Sequence, residues 1–276
     1  MSDRPIAGHG PLTGGVRPAA VAGRFYPGDP AQLSTLVDRL MSEVDVPDDD
    51  PLAAGYVVPH AGYRFSGPVA AHAYARLRRH AGAVTRVVLV GPSHFVRLDG
   101  CAVPTVDSWA TPLGEVRLDA ELRGSLLSAG LYVVADDDPH QREHSLEVQL
   151  PFLIRALGDD IAVLPIGVGA CPVDDVVAVI ETAVAEGALL VCSTDFSHYH
   201  DQATAQRLDA RTAGAVTGLQ PEAIGVRDAC GVFALRGTVG WAREAKLTPE
   251  LLDLRTSADT AGGPDRVVGY PAFAIR

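Results

Sequence analysis

Three short apolar runs in this chain each end in a histidine. Residues 57–58 lead into Pro59-His60-Ala61-Gly62, residues 87–90 into Gly91-Pro92-Ser93-His94, and residues 189–192 into Ser193-Thr194-Asp195-Phe196-Ser197-His198. Imidazole is a ligand for iron, copper and zinc, and two of them at neighbouring strand ends can reach one ion without a special loop. Cys230 sits in Asp228-Ala229-Cys230-Gly231, just ahead of an amphipathic run. A helix start lowers a thiol's pKa and favours the thiolate that binds metal, so Cys230 joins the three histidines as a fourth candidate ligand. Asp195 stands three residues before His198. Either it orients that imidazole or both face a substrate, with His198 carrying a proton as acid or base near neutral pH. Glu147 or His144 is placed to fix a ligand histidine's tautomer from behind, and Tyr63 and Tyr199 are candidates for the pocket wall or for plain packing.

Such residues need a scaffold that brings distant segments together. The apolar runs have the length of buried strands, and they alternate with stretches of helical spacing. Helices are predicted over 31–41, behind Asp29-Pro30 as cap and first turn, over 69–79 behind Ser66-Gly67-Pro68, and over 173–184. Asp119 is predicted to cap another, Pro151 to kink or restart one, and 203–216, 221–229 and 232–245 to form three more. Residues 101–103 and 115–118 read as a hairpin joined across Trp109 to Gly114. Strands alternating with helices at this spacing predict an α/β fold, a mostly parallel or mixed central sheet covered by helices on both faces. Ligands of such sheets gather at the carboxyl ends of the strands, where the histidines fall. Residues 1–17 are rich in Gly and Pro without periodicity and are expected to form a flexible tail in which His9 is inert; 18–276 form one domain.

Composition narrows the function classes. The net charge is −11, and the clustered Lys and Arg that neutralise nucleic-acid phosphates are absent. No apolar run has membrane-spanning length, and the N-terminus lacks a basic start and apolar core, so a cytoplasmic location is expected. The four cysteines form no CxxC and signal neither a disulfide framework nor a zinc knuckle. Cys101 and Cys192 read as buried thiols used as small hydrophobes.

Ala22-Gly23-Arg24-Phe25-Tyr26-Pro27, Pro59-His60-Ala61-Gly62-Tyr63, Gly91-Pro92-Ser93-His94, Thr111-Pro112-Leu113-Gly114, His144-Ser145-Leu146-Glu147, the segment from Ser193 to Tyr199, and Asp228-Ala229-Cys230-Gly231 together resemble the Memo-like family, which includes protein B of the AmmeMemoRadiSam system. The resemblance implies a fold similar to the catalytic subunit of class III extradiol dioxygenases. It implies a metal site of two histidines and a cysteine matching His60, His94 and Cys230, and pocket roles for Asp195 and His198. It also implies radical-SAM and AMMECR1-like pathway partners. Two departures stand out: many relatives have histidine where Gln149 stands, and the extradiol enzymes hold iron with two histidines and a carboxylate. With Cys230 in the carboxylate's place, ring cleavage does not carry over directly. Iron is the expected metal, one ion per chain, with copper or zinc competing because a thiolate favours softer metals. Three functions follow: a non-haem, metal-dependent oxidoreductase, dioxygenase-like, acting on a small or aromatic substrate; a zinc hydrolase, disfavoured by the lack of a Glu beside His60; and a module that binds a peptide or protein without turnover.

Overall fold

The computed structural model describes residues 14–276. Its strands are β1 (Val16–Arg17), β2 (Gly55–Val58), β3 (Arg86–Pro92), β4 (Cys101–Val103), β5 (Ser108–Thr111), β6 (Gly114–Leu118), β7 (Val133–Ala135), β8 (Ala162–Val168), β9 (Leu189–Ser193), β10 (His198–His200), β11 (Pro249–Thr256) and β12 (Val267–Ile275). They join into one sheet with the main path β1-β5-β6-β8-β3-β9-β2-β12-β10. The helices are α1 (Pro30–Ser42), α2 (Tyr63–Arg78), α3 (Ala120–Ser128), α4 (Asp138–Gln141), α5 (Leu150–Leu157), α6 (Val173–Ala185), α7 (Gln202–Thr217) and α8 (Val232–Glu244).

The centre of the sheet is parallel: β8 pairs with β3, β3 with β9, and β9 with β2. Both faces of these strands are apolar, as a doubly covered parallel sheet requires. Tyr56 and Val58, Val87 and Leu89, and Leu189 and Val191 enter one core with α1, α2 and α5. Val57, Val88 and Val90, and Leu190 and Cys192 enter the other with α3, α6 and α8. β12 then lies antiparallel on β2 and carries β10 and β11. The mixed sheet with helices on both faces is the fold that the sequence predicts.

Local chemistry explains where elements start. Asp29 caps α1 by accepting from the Gln32 N–H at 2.8 Å, with Pro30 in the first turn, and Asp119 caps α3 through Leu122 N–H at 3.0 Å. A short 3-10 turn, Glu147–Gln149, runs into α5 at Pro151, so the proline marks a restart.

Four expectations are corrected. The helix after His60 starts at Tyr63, with Gly62 as its cap and Pro68 inside it; Ser66 is a helical residue whose hydroxyl donates to the Ala61 carbonyl. The hairpin is β5 with β6, while β4 lies between β7 and β8. Of residues 221–229 only Pro221–Ala223 are helical, as one short 3-10 turn. Finally, Val16–Arg17, expected within the tail, form a strand. Residues 1–13, His9 among them, lie outside the described residues, but Val16–Arg17 pair with β5 and Arg17 is buried. Arg17 donates to Glu147 (2.6 Å) and to the carbonyls of His140 (2.8 Å) and Glu143 (2.7 Å). A buried guanidinium needs several acceptors, and these hold the segment down.

Candidate metal centre

β3, β9 and β2 are neighbours, so His94, the segment from Thr194 to His198, and His60 leave the sheet side by side at its carboxyl edge. His60 Nε2 lies 3.2 Å from Cys230 Sγ, and the donor atoms of His60, His94 and Cys230 all lie within 4.8 Å of one another. Bonds of about 2.0–2.3 Å to a common ion would ask only small movements of these groups.

The hydrogen bonds fix which nitrogen of each ring is free. Ser193 Oγ donates to the Ser145 carbonyl (2.6 Å) and accepts from Gln149 Nε2 (2.9 Å), so its remaining lone pair takes Nδ1–H of His60 at 2.9 Å. Nδ1–H of His94 donates to Glu143 Oε1 at 2.8 Å. Nδ1–H of His198 donates to the Phe196 carbonyl at 2.8 Å. Each ring therefore keeps a bare Nε2, the atom a metal or a proton would take.

Burial supports the same state. It holds His60 well below its usual pKa, helped by the imidazoles of His94 and His144, and it lowers His198. His144 is pushed down to about 4, burial again leading. Neutral imidazole is the form that ligates. Cys230 departs from the expectation that a helix start lowers its pKa. Burial and the nearby Asp195 carboxyl push the thiol up, so a metal arriving there displaces a proton.

Asp195 bonds to the residues that flank the site rather than to the His198 ring. Its carboxylate accepts the His60 backbone N–H at 2.7 Å, its carbonyl accepts Cys230 N–H at 3.1 Å, and its own N–H points to Cys230 Sγ at 3.2 Å. It thus fastens two donor residues to one loop, and His198 is oriented by Phe196 instead. Burial lifts its carboxyl to about 7, against the His60 hydrogen bond and the nearby His94 imidazole. Gly231 lets this contact form: a Cβ there would lie 2.9 Å from Thr194 Oγ1, which accepts Gly231 N–H at 3.0 Å.

His144 stacks on His94 with centroids 4.8 Å apart and meets His60 edge-on at 5.5 Å, so it walls the site. Tyr199 is exposed at the rim, edge-on to His198 at 5.6 Å and held at φ +64°. Tyr63 and Glu147 are elsewhere. Tyr63 is buried between Tyr26 and Phe152 and donates to the Val148 carbonyl, because α2 begins at this residue and turns its ring inward. Glu147 is consumed by Arg17, by the N–H groups of Ala20 and Val21, and by the Tyr26 hydroxyl.

The residue missed is Glu143. It is buried and also accepts the N–H groups of His94, His144 and Ser145. Burial acts to raise its pKa, but the His94 contact and these N–H groups outweigh it and hold the carboxyl well below its usual range. With both oxygens engaged, Glu143 acts as an orienter, although His94, Glu143 and His144 also form a group of metal-capable atoms. Its adjacency to His144 was the only signal in the sequence.

Fold and site together define an α/β protein with a two-histidine, one-cysteine pocket able to hold a metal ion at the carboxyl edge of its sheet. The sequence profile described as Memo-like protein matches residues 17–274, and the chain belongs to that family. It is 34% identical to a MEMO1 family protein of Methanopyrus kandleri, covering 94% of this chain and 99% of that one. It is 37% identical to a MEMO1 family protein of Methanococcoides burtonii, covering 95% and 100%. Among solved structures, an uncharacterized protein of Escherichia coli K12 shares the fold with a TM-score of 0.54 and 13% identity, over 79% of this chain and 98% of that one. No helix among the described residues is long and apolar enough to cross a membrane.

Proposed function

We propose that the protein is a non-haem, metal-dependent oxidoreductase acting on a small organic molecule. His60, His94 and Cys230 hold one ion in this reading, and His198 moves a proton. The observation that carries it is the convergence of Cys230 Sγ with the imidazoles of His60 and His94, each locked by its Nδ1–H so that Nε2 is bare. The donor set suits iron, copper or zinc, and its thiolate shifts preference toward the softer ions. When bound, iron or copper would supply a Lewis-acidic and redox-active centre.

The chain supplies the rest. Ser193 and Glu143 hold the ligand rings in position from behind, and Asp195 holds the backbone of His60 and the sulfur of Cys230. His198 Nε2 is the free base, partly shielded from water, with its tautomer set by Phe196. His144 walls the site by stacking over His94. Radical-SAM and AMMECR1-like proteins belong to this reading as pathway partners.

The test is elemental analysis of anaerobically purified protein beside its His94→Ala variant, followed by oxygen uptake on admission of air and reductant. Stoichiometric iron or copper, lost in the variant together with oxygen uptake, is the expected result. Ester or amide turnover restored by zinc alone would replace it with the hydrolase, and a folded protein that takes up no metal would leave the peptide-binding reading.

A further inference from the structure

The loop that carries His94 runs on through Gly100 into β4, and there it is pressed against the connection from β8 to α6. Gly169 N–H donates to the Gly100 carbonyl at 2.8 Å, Ala170 N–H to the Leu98 carbonyl at 2.9 Å, and Gly100 N–H to the Ala170 carbonyl at 3.2 Å. Register continues into β4, where Cys101 lies opposite Val168. The approach is so close that a Cβ on Gly169 would overlap the Leu98 carbonyl. Each segment carries a cysteine at this point. Cys101 belongs to the core under α6, and Cys171 packs against that same core from its edge, half-buried. Their side chains are within hydrogen-bonding reach of each other. Nothing in the metal centre uses either thiol.

We propose that Cys101 and Cys171 are a redox-active pair that closes to a disulfide, fastening the outgoing end of the His94 loop to the β8–α6 connection. The oxidant is a small-molecule disulfide. Cys171, the reachable thiol, attacks one of its sulfurs as the thiolate and expels a thiolate, leaving a mixed disulfide. Cys101, already in contact, gives up its proton to solvent and attacks Cys171 Sγ, expelling the second thiolate. The protein loses two hydrogens, and the external disulfide takes the two electrons to become two thiols. Burial protects Cys101 from direct attack, so it reacts only through its neighbour. Cys192 lies fully inside the core, without a cysteine neighbour among the described residues, and stays reduced.

The experiment treats full-length protein with oxidised glutathione, blocks free thiols, and maps peptides after digestion with trypsin and an Asp-specific protease, which separates Cys171 from Cys192. A peptide pair linked through Cys101 and Cys171, a mass loss of two hydrogens in the intact monomer, and a rise in thermal midpoint are expected. In Cys171→Ser, a half-exposed change that spares the core, the linked pair and the rise in midpoint should both be missing, and dithiothreitol should reverse both in wild type. Cys101 and Cys171 both found blocked as free thiols would overturn the proposal. So would a link from either one to Cys230 or to a second molecule.

Discussion

Glu143 accepts two hydrogen bonds from His94, one from its backbone N–H at 2.6 Å and one from Nδ1–H at 2.8 Å. One carboxylate thereby sets both the position of the residue and the tautomer of its ring. Glu143→Gln keeps the size but replaces one acceptor oxygen with a donor, so His94 loses part of its support. Metal affinity, read by competition with a chromogenic chelator, should fall by about 10–100-fold while the circular dichroism spectrum is unchanged. Unchanged affinity would remove Glu143 from the site.

The three strand ends were legible because a buried parallel strand is a continuous apolar run, and the polar residue that ends it stands out. The caps at Asp29 and Asp119 were legible for a similarly local reason: each serves an N–H three residues on. Glu143 was not, because its partner His94 lies 49 positions away and its own surroundings, Asp136 to Arg142, are polar with no apolar period to place them. Arg17 was hidden in a strand too short to show a period. Tyr63 was left between pocket wall and packing because Pro68 suggested the start of a helix that had already begun. Reading α2 from Gly62 would have put the Tyr63 ring on its inner face.

His198 is expected to matter for turnover and not for the ion. Its Nδ1 is occupied by the Phe196 carbonyl, and the segment that bears it pairs with β12 at Val268. His198→Gln should therefore retain the metal content of wild type while oxygen-dependent turnover drops by roughly 10²–10⁴-fold, the range for losing a positioned acid or base. Loss of metal in this variant would make His198 a ligand and exclude the assigned role.

Arg17 and Glu147 form a buried ion pair at 2.6 Å, and Arg17 also lies over the Trp109 ring at 4.2 Å. Removing one partner strands the other charge inside the protein. Arg17→Ala should lower unfolding free energy by about 3–5 kcal/mol in urea titrations. A loss under about 1 kcal/mol, the scale of a surface pair, would mean that the N-terminal segment contributes little to the fold.

His140 makes acid stability testable away from the metal ligands. Its Nε2–H donates to the Ala102 carbonyl at 3.1 Å, and its buried Nδ1 has no partner among the described residues. Burial, then the charge of Arg17, pushes its pKa down to about 4. The unfolded chain binds this proton near pH 6.5 and the folded one does not, so between those values the unfolded state carries more protons. Stability attributable to His140 is complete above about pH 6.5 and is lost progressively as pH falls toward 4, by about 3 kcal/mol in all. His144 and His60 are depressed too and contribute with the same sign, so the difference between wild type and His140→Gln is what isolates this residue. Denaturant titrations at pH 7.5 and 4.5 should show wild type losing about 2–3 kcal/mol more than the variant on acidification, whatever the variant's stability at neutral pH. Parallel pH profiles for the two proteins would mean that His140 protonates in the folded state as readily as in the unfolded one.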